Sequence, residues 1–98
     1  SLGLPLGTIV IDGGAVEAIH KEGSSLLAVG VVAVRGNFDR GDLIICEDSE
    51  GKAVAKGLSN FSSEEVALVK GLNTKELLKK LDQVADEEII HRNNLILS

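Results

Sequence analysis

Between Gly7 and Leu58, short apolar runs return about every ten residues, the spacing of a small barrel or sandwich built from hairpins. The runs cover 7–12, 31–38, 43–46 and 52–58 and read as strands. Each is closed by turn-forming residues: Asp12-Gly13-Gly14, then Asn37 with Asp39-Arg40-Gly41-Asp42, then the 48–51 segment. What fills such a barrel must be aliphatic. Phe38 and Phe61 are the only aromatic residues among 98, and Met, Trp and Tyr are absent. With 44% hydrophobic and 26% charged residues, the chain has the composition of one ordered domain.

Helices interrupt the strands twice. Asp12 is placed to cap a helix over 13–22, where Ala15, Val16, Ala18 and Ile19 form the apolar stripe and Gly23 provides the stop. Residues 24–30 read as a buried turn or a short 3₁₀ piece. Beyond Asn60, Ser62 and Glu65 form a capping box for a helix that buries Val66 and Val69 and ends at Gly71. Asn73 and Glu76 repeat that logic for a helix over 74–81, with Leu77, Leu78 and Leu81 inward. An acidic connector over 82–88, a short strand over 88–92 and an apolar tail over 95–97 follow. The fold class is therefore mainly β with helices (α+β). One helix follows strand one and two precede the last strand.

Several functions are excluded or disfavoured. Cys46 stands alone, so no intrachain disulfide can form and a reducing compartment, the cytoplasm, is expected. Cys46, His20 and His91 do not have zinc-site spacing. The longest apolar run, 26–34, is far short of the ~20 residues of a membrane span. No basic segment precedes an apolar one at the start, so no secretory signal is visible. A net charge of −5 opposes generic nucleic-acid binding.

The chemical motifs have bland readings. Asp12-Gly13-Gly14 lacks the third glycine of a dinucleotide loop, and no phosphate-loop sequence occurs. Arg40-Gly41-Asp42 suits a turn, and Ser62 in Asn60-Phe61-Ser62 suits a cap better than a glycosylation sequon. No G-x-S-x-G elbow is present. His20 reads as a solvated residue on the polar side of its helix. His91 reads as a partly buried strand residue with one backbone hydrogen bond, and Cys46 as an inert core thiol. No catalytic, cofactor-binding or metal-binding residue is expected.

From Gly7 to Leu58 the order I-V-I-D-G-G-A-V-E-A-I, G-S-S-L-L-A-V-G-V, G-N-F-D-R-G-D-L-I, E-G-K-A-V-A-K-G resembles the PUA domain. That resemblance implies a pseudo-barrel of about five to six strands. Many members bind RNA in a groove between the first helix, its following loop and the last strands. On this chain the groove would comprise Lys21, Gly23, Ser24, Ser25, His91 and Arg92, a candidate RNA or partner surface. Scarce stacking residues and the excess of acids make RNA a weak ligand at most.

Three further pieces make the chain most similar to the C-terminal PUA domains of the bacterial glutamate 5-kinase family. They are G-N-F-D-R-G-D, G-L-S-N-F-S-S-E-E and the ending E-I-I-H-R-N-N-L-I-L, in which Ile90, His91, Arg92, Asn93 and Leu95 fit the family's closing strand. The resemblance implies a parent that phosphorylates the side-chain carboxylate of glutamate with ATP and magnesium, in proline synthesis and under feedback by proline. Its catalytic residues belong to an N-terminal amino-acid-kinase domain, which would be this chain's partner within a homo-oligomer. The start at Ser1 rather than Met then reads as a cut, with residues 1–6 a linker from the absent kinase domain and 7–98 the PUA-like domain. The chain itself would be a non-catalytic regulatory or assembly module without a cofactor of its own.

Overall fold

Strand β1 (Gly7–Ile11) puts Ile9 and Ile11 fully into the core, while Thr8 and Val10 face the other side of the sheet. In the computed structural model, which describes residues 3–82 and 86–98, Asp12 ends this strand. Its carboxylate accepts from the Ala15 N–H at 2.8 Å and starts α1 (Gly13–Glu22). Gly23, left-handed at φ +62°, stops α1.

The chain continues through β2 (Leu26–Leu27), a 3₁₀ turn (Ala28–Gly30), β3 (Val31–Gly36), β4 (Leu43–Glu47) and β5 (Ala53–Leu58). Helices α2 (Ser63–Val69) and α3 (Thr74–Lys80) precede β6 (Glu88–Ile90), a second 3₁₀ turn (Arg92–Asn94) and β7 (Leu95–Leu97). Five strands form one sheet in the order β3-β1-β4-β5-β7, and β2 pairs with β6 in a second. All pairings are antiparallel except β1 with β4. The fold is α+β, with one helix after strand one and two helices ahead of the closing strands.

Both capping boxes form, Ser62 with Glu65 and Asn73 with Glu76. The core joins Ile9, Ile11 and Ile44 of the sheet to Val66 and Val69 of α2, Leu77 of α3 and Ile89 and Ile90 of β6. Phe38 and Phe61 are buried with them. The structure adds β2 and β7 to the strands read from sequence. Leu26–Leu27 owes its strand character to β6 alone, and the apolar tail becomes β7 against β5. Leu78 is exposed rather than inward, because α3 buries only Leu77 fully. The strand expected over 88–92 stops at Ile90, since the Arg92 N–H turns away to Ser25 Oγ. Residues 1–2 of the expected linker and 83–85 of the expected connector lie outside the described residues.

α1 lies close against the turn after β2. A Cβ on Gly30 would meet Ala15 Cβ at 2.6 Å, well inside van der Waals contact. Gly30→Ala is therefore expected to cost about 2 kcal/mol in urea unfolding, the usual scale of overpacking. Adding Ala15→Gly frees that space at a helix-propensity cost of about 1 kcal/mol, so the double variant should lose less than the sum of the singles.

The Asp39-to-Asp42 turn between β3 and β4 is a fixed structure. The Asp39 N–H donates to Asp42 Oδ2 at 2.7 Å and the Gly41 N–H to the Ser59 carbonyl at 2.7 Å. Arg40 reaches out of this turn to grip Glu65 of α2 with two nitrogens, Nε at 2.9 Å from Oε1 and a terminal nitrogen on Oε2. The Arg40 guanidinium, helped by the Ser62 N–H, holds the Glu65 carboxyl down to about 2 against partial burial.

A carboxyl depressed in the folded state stabilises above its unfolded value, near 4.5, and loses that contribution as pH falls toward 2. Arg40→Ala should therefore lower the melting temperature at pH 6, and the gap to wild type should close as the scan is repeated down to pH 2. A gap that does not change with pH would mean that the ion pair contributes nothing.

Candidate functional site

The C-terminus of α1 and the two-stranded sheet build one wall each of a hollow. Gly23 turns the chain so that Ser24 and Ser25 follow α1 directly, with the Ser24 N–H still bonded to the Ala18 carbonyl at 3.2 Å. β2 then pairs with β6, Leu26 opposite Ile90 and Leu27 opposite Glu88. This pairing brings residues 24–27 beside residues 88–92. Ser24, Ser25, Leu27, Glu88, His91 and Arg92 line a hollow of about 400 Å³.

The two walls are pinned by the Arg92 N–H, which donates to Ser25 Oγ at 2.8 Å across the gap. His91 Nδ1 accepts from the Asn93 N–H at 3.1 Å and caps the 3₁₀ turn. A neutral His91 ring that accepts at Nδ1 carries its proton on Nε2, which lies 3.8 Å from the Glu88 carboxylate. The backbone bond and the half-exposed ring match the expectation for His91, although the residue opens a turn instead of lying in a strand.

Of the six residues expected at this surface, Ser24, Ser25, His91 and Arg92 line the hollow. Gly23 acts upstream, as the left-handed residue that aims the serines. Lys21 is directed to Glu17 on α1, at 3.5 Å, and is not among the lining residues. Leu27 and Glu88 line the hollow without having been singled out from sequence. Their signal is the cross-strand pairing itself, which no local pattern in the sequence announces.

The hollow offers two hydroxyls, one guanidinium, one imidazole and one carboxylate. That set suits hydrogen bonding to a polar ligand and carries little net charge. Ser25 Oγ accepts from the Arg92 backbone N–H, and among the described residues neither serine hydroxyl is hydrogen-bonded to an imidazole or a carboxylate. A second hollow of about 320 Å³ adjoins it and is more apolar, lined by Ala15, Ala18, Leu27 and Val29 among others.

The remaining singled-out residues lie elsewhere. His20 is exposed on α1, with Nε2 3.3 Å from the Val54 carbonyl. Cys46 is wholly buried in β4, where burial pushes its thiol up to about 12 and removes its nucleophilicity at neutral pH. Among the described residues no group of three His, Cys, Asp or Glu side chains is placed to hold a metal ion.

A family model described as the PUA domain matches residues 7–81. The glutamate 5-kinase of Aquifex aeolicus (strain VF5) is 50% identical over 93 residues, 95% of this chain and 26% of that protein. The glutamate 5-kinase of Pseudomonas savastanoi pv. phaseolicola is 45% identical over 91 residues, 93% of this chain and 25% of that protein. The chain thus spans about a quarter of the length of these curated relatives.

Among solved structures, a conserved PUA domain protein from Thermoplasma acidophilum is 32% identical with TM-score 0.55, over 61% of this chain and 39% of that one. A PUA domain from Aeropyrum pernix K1 is 24% identical with TM-score 0.61, over 91% of this chain and 45% of that one. A chain of an archaeal box H/ACA sRNP complex, 20% identical with TM-score 0.60, shares the fold over 95% of this chain and 23% of its own length.

Proposed function

The chain belongs to the PUA domain family, and on that premise we propose that it is the C-terminal, non-catalytic module of a glutamate 5-kinase. The observation that carries this reading is sequence identity of 43–50% across more than nine-tenths of the chain, every time to a protein of that name. The parent would transfer a phosphoryl group from ATP, with magnesium, to glutamate. Those ligands do not fit this chain. The turn after β1 spends Asp12 on a helix cap and carries no phosphate loop, so ATP and magnesium are assigned to the rest of the parent. No helix among the described residues is long and apolar enough to cross a membrane, and the reading implies the cytoplasm.

The module acts through contacts. A domain without chemistry changes an enzyme's response only if it touches two states of that enzyme differently. Its partner on this reading is the amino-acid-kinase domain of the same polypeptide, within a homo-oligomer. The test begins with the complete reading frame that contains this chain. Its product should phosphorylate glutamate, and deleting residues 7–98 should change proline inhibition or oligomer size. Absence of the kinase activity sinks the parentage. Unchanged inhibition and unchanged size after the deletion sink the regulatory and assembly role.

RNA is the second reading for the same surface, favoured by the hydroxyls and guanidinium in the hollow of Ser24, Ser25, His91 and Arg92. Against it stand the net charge of −5 and the burial of both phenylalanines, which leaves no aromatic face for a base to stack on. Titration with a structured RNA at two salt concentrations should find weak binding. Submicromolar, salt-sensitive binding would reverse the order of the two readings.

A further inference from the structure

One face of the five-stranded sheet carries the core. Ile9, Ile11, Ile44 and Cys46 point into the core. Their neighbours Thr8, Val10, Leu43 and Ile45 point to the opposite face, where each is half-buried.

That outer face is apolar at one end. Leu6 donates its N–H to the Leu43 carbonyl at 2.9 Å, extending the β1–β4 pairing by one residue, and Leu43 is in register with Leu58. Gly7 points inward, since a Cβ there would strike the Phe38 ring, so Leu6 points outward. Three leucines therefore lie side by side across β1, β4 and β5. Leu6 is 47% exposed and Leu58 44%. The next cross-strand row brings Ile45, Lys56 and Ile96 together, with Ile96 61% exposed. Charged groups share that second row: Lys56 stands between Ile45 and Ile96, and Arg35, opposite Thr8, reaches Glu47 of the following row at 2.8 Å. An exposed apolar row bordered by charges is the usual mark of a contact surface.

The occupant follows from the tether. The chain comes into β1 at the leucine row, and the six residues ahead of Gly7 span at most about 20 Å. The attachment point of a preceding segment is held within that distance of Leu6, which puts this patch within its reach. The kinase relatives have about three quarters of their length beyond the part that matches this chain. We propose that the Leu6–Leu43–Leu58 row, with Ile45 and Ile96, is the docking surface for the domain preceding Ser1 in the same polypeptide. The proposal rests on the functional reading above for the existence of that domain.

Thiol labelling in the full-length protein tests it. Leu6→Cys and Leu58→Cys place thiols on the patch. Leu68→Cys places one on α2, at a position 57% exposed, and serves as the control. Cys46 is buried and gives a silent background in this chain, and peptide mass spectrometry separates cysteines elsewhere. The two patch thiols should react with a maleimide at least tenfold more slowly than the control, at every protein concentration. Equal rates overturn the proposal. Protection lost on dilution, in step with a fall in mass by light scattering, also overturns it and makes a second copy the occupant. A full-length protein without glutamate kinase activity whose patch stays shielded supports the docking surface while the functional reading fails.

Discussion

Phe61→Ala is expected to lower the unfolding free energy by about 4 kcal/mol, read as a shifted urea midpoint. Phe61 is 1% exposed and is the largest fully buried side chain. It stands where the barrel hands over to the helices. Ser59 Oγ donates to the Phe61 carbonyl at 2.6 Å and accepts from the Phe61 N–H at 3.2 Å. Asn60, next to it, holds β6 through its N–H on the Ile89 carbonyl at 2.8 Å and its amide on the Glu88 carbonyl at 3.0 Å. The backbone around the ring is therefore fixed and cannot collapse into the space the ring leaves, which sets the cost near the upper range for such truncations. Domains of this size have about 5–15 kcal/mol in total, so the variant should be marginal at 37 °C. Phe61→Leu, which keeps most of the volume, should recover more than half of the loss. A loss below about 1 kcal/mol for Phe61→Ala would show that the ring is not packed as described.

Gly57→Val should cost about 3 kcal/mol and act at a different place. A Cβ on Gly57 would run into the Asn94 carbonyl oxygen and stand 2.9 Å from Ile90 Cγ2. The first obstacle is backbone, held in the 3₁₀ turn that starts at Arg92, so it cannot swing aside as a side chain would. Gly57 also pairs with Leu95, and the added bulk should lever β7 off β5. Amide exchange should then rise at Leu95, Ile96 and Leu97 and at Ser98, whose N–H bonds the Val54 carbonyl at 2.9 Å, while β1 and β4 stay protected. Unchanged exchange there, with wild-type stability, would contradict the packing of Asn94 over Gly57.

What the sequence revealed and what it hid divide along a physical line. Features fixed within a few residues were legible: the Asp12 cap, the Gly23 stop and the two capping boxes all lie where side-chain chemistry put them. The four longer strands were legible for the same reason, since Gly and Asp turns bound them. Features set by distant partners were not. A two-residue strand such as Leu26–Leu27 has no period to detect, and its pairing with Glu88–Ile90 is a tertiary fact. The 95–97 run reads as a tail until β5 is there to receive it. In the hollow, Ser24, Ser25, His91 and Arg92 came from family resemblance rather than from local chemistry. Leu27 and Glu88 escaped because only the β2–β6 register brings them in.

The parallel pairing of β1 with β4 has a consequence for the order of biosynthesis. β1 is the second strand of the sheet in space but the first to leave the ribosome, and it must wait for both β3 and β4 before its two edges are satisfied. β7, the last strand made, completes β5. The edges of β1 therefore stay open until β4 is made and one edge of β5 until β7 is made, so translation pausing between β5 and β7 should present an unpaired strand edge to chaperones.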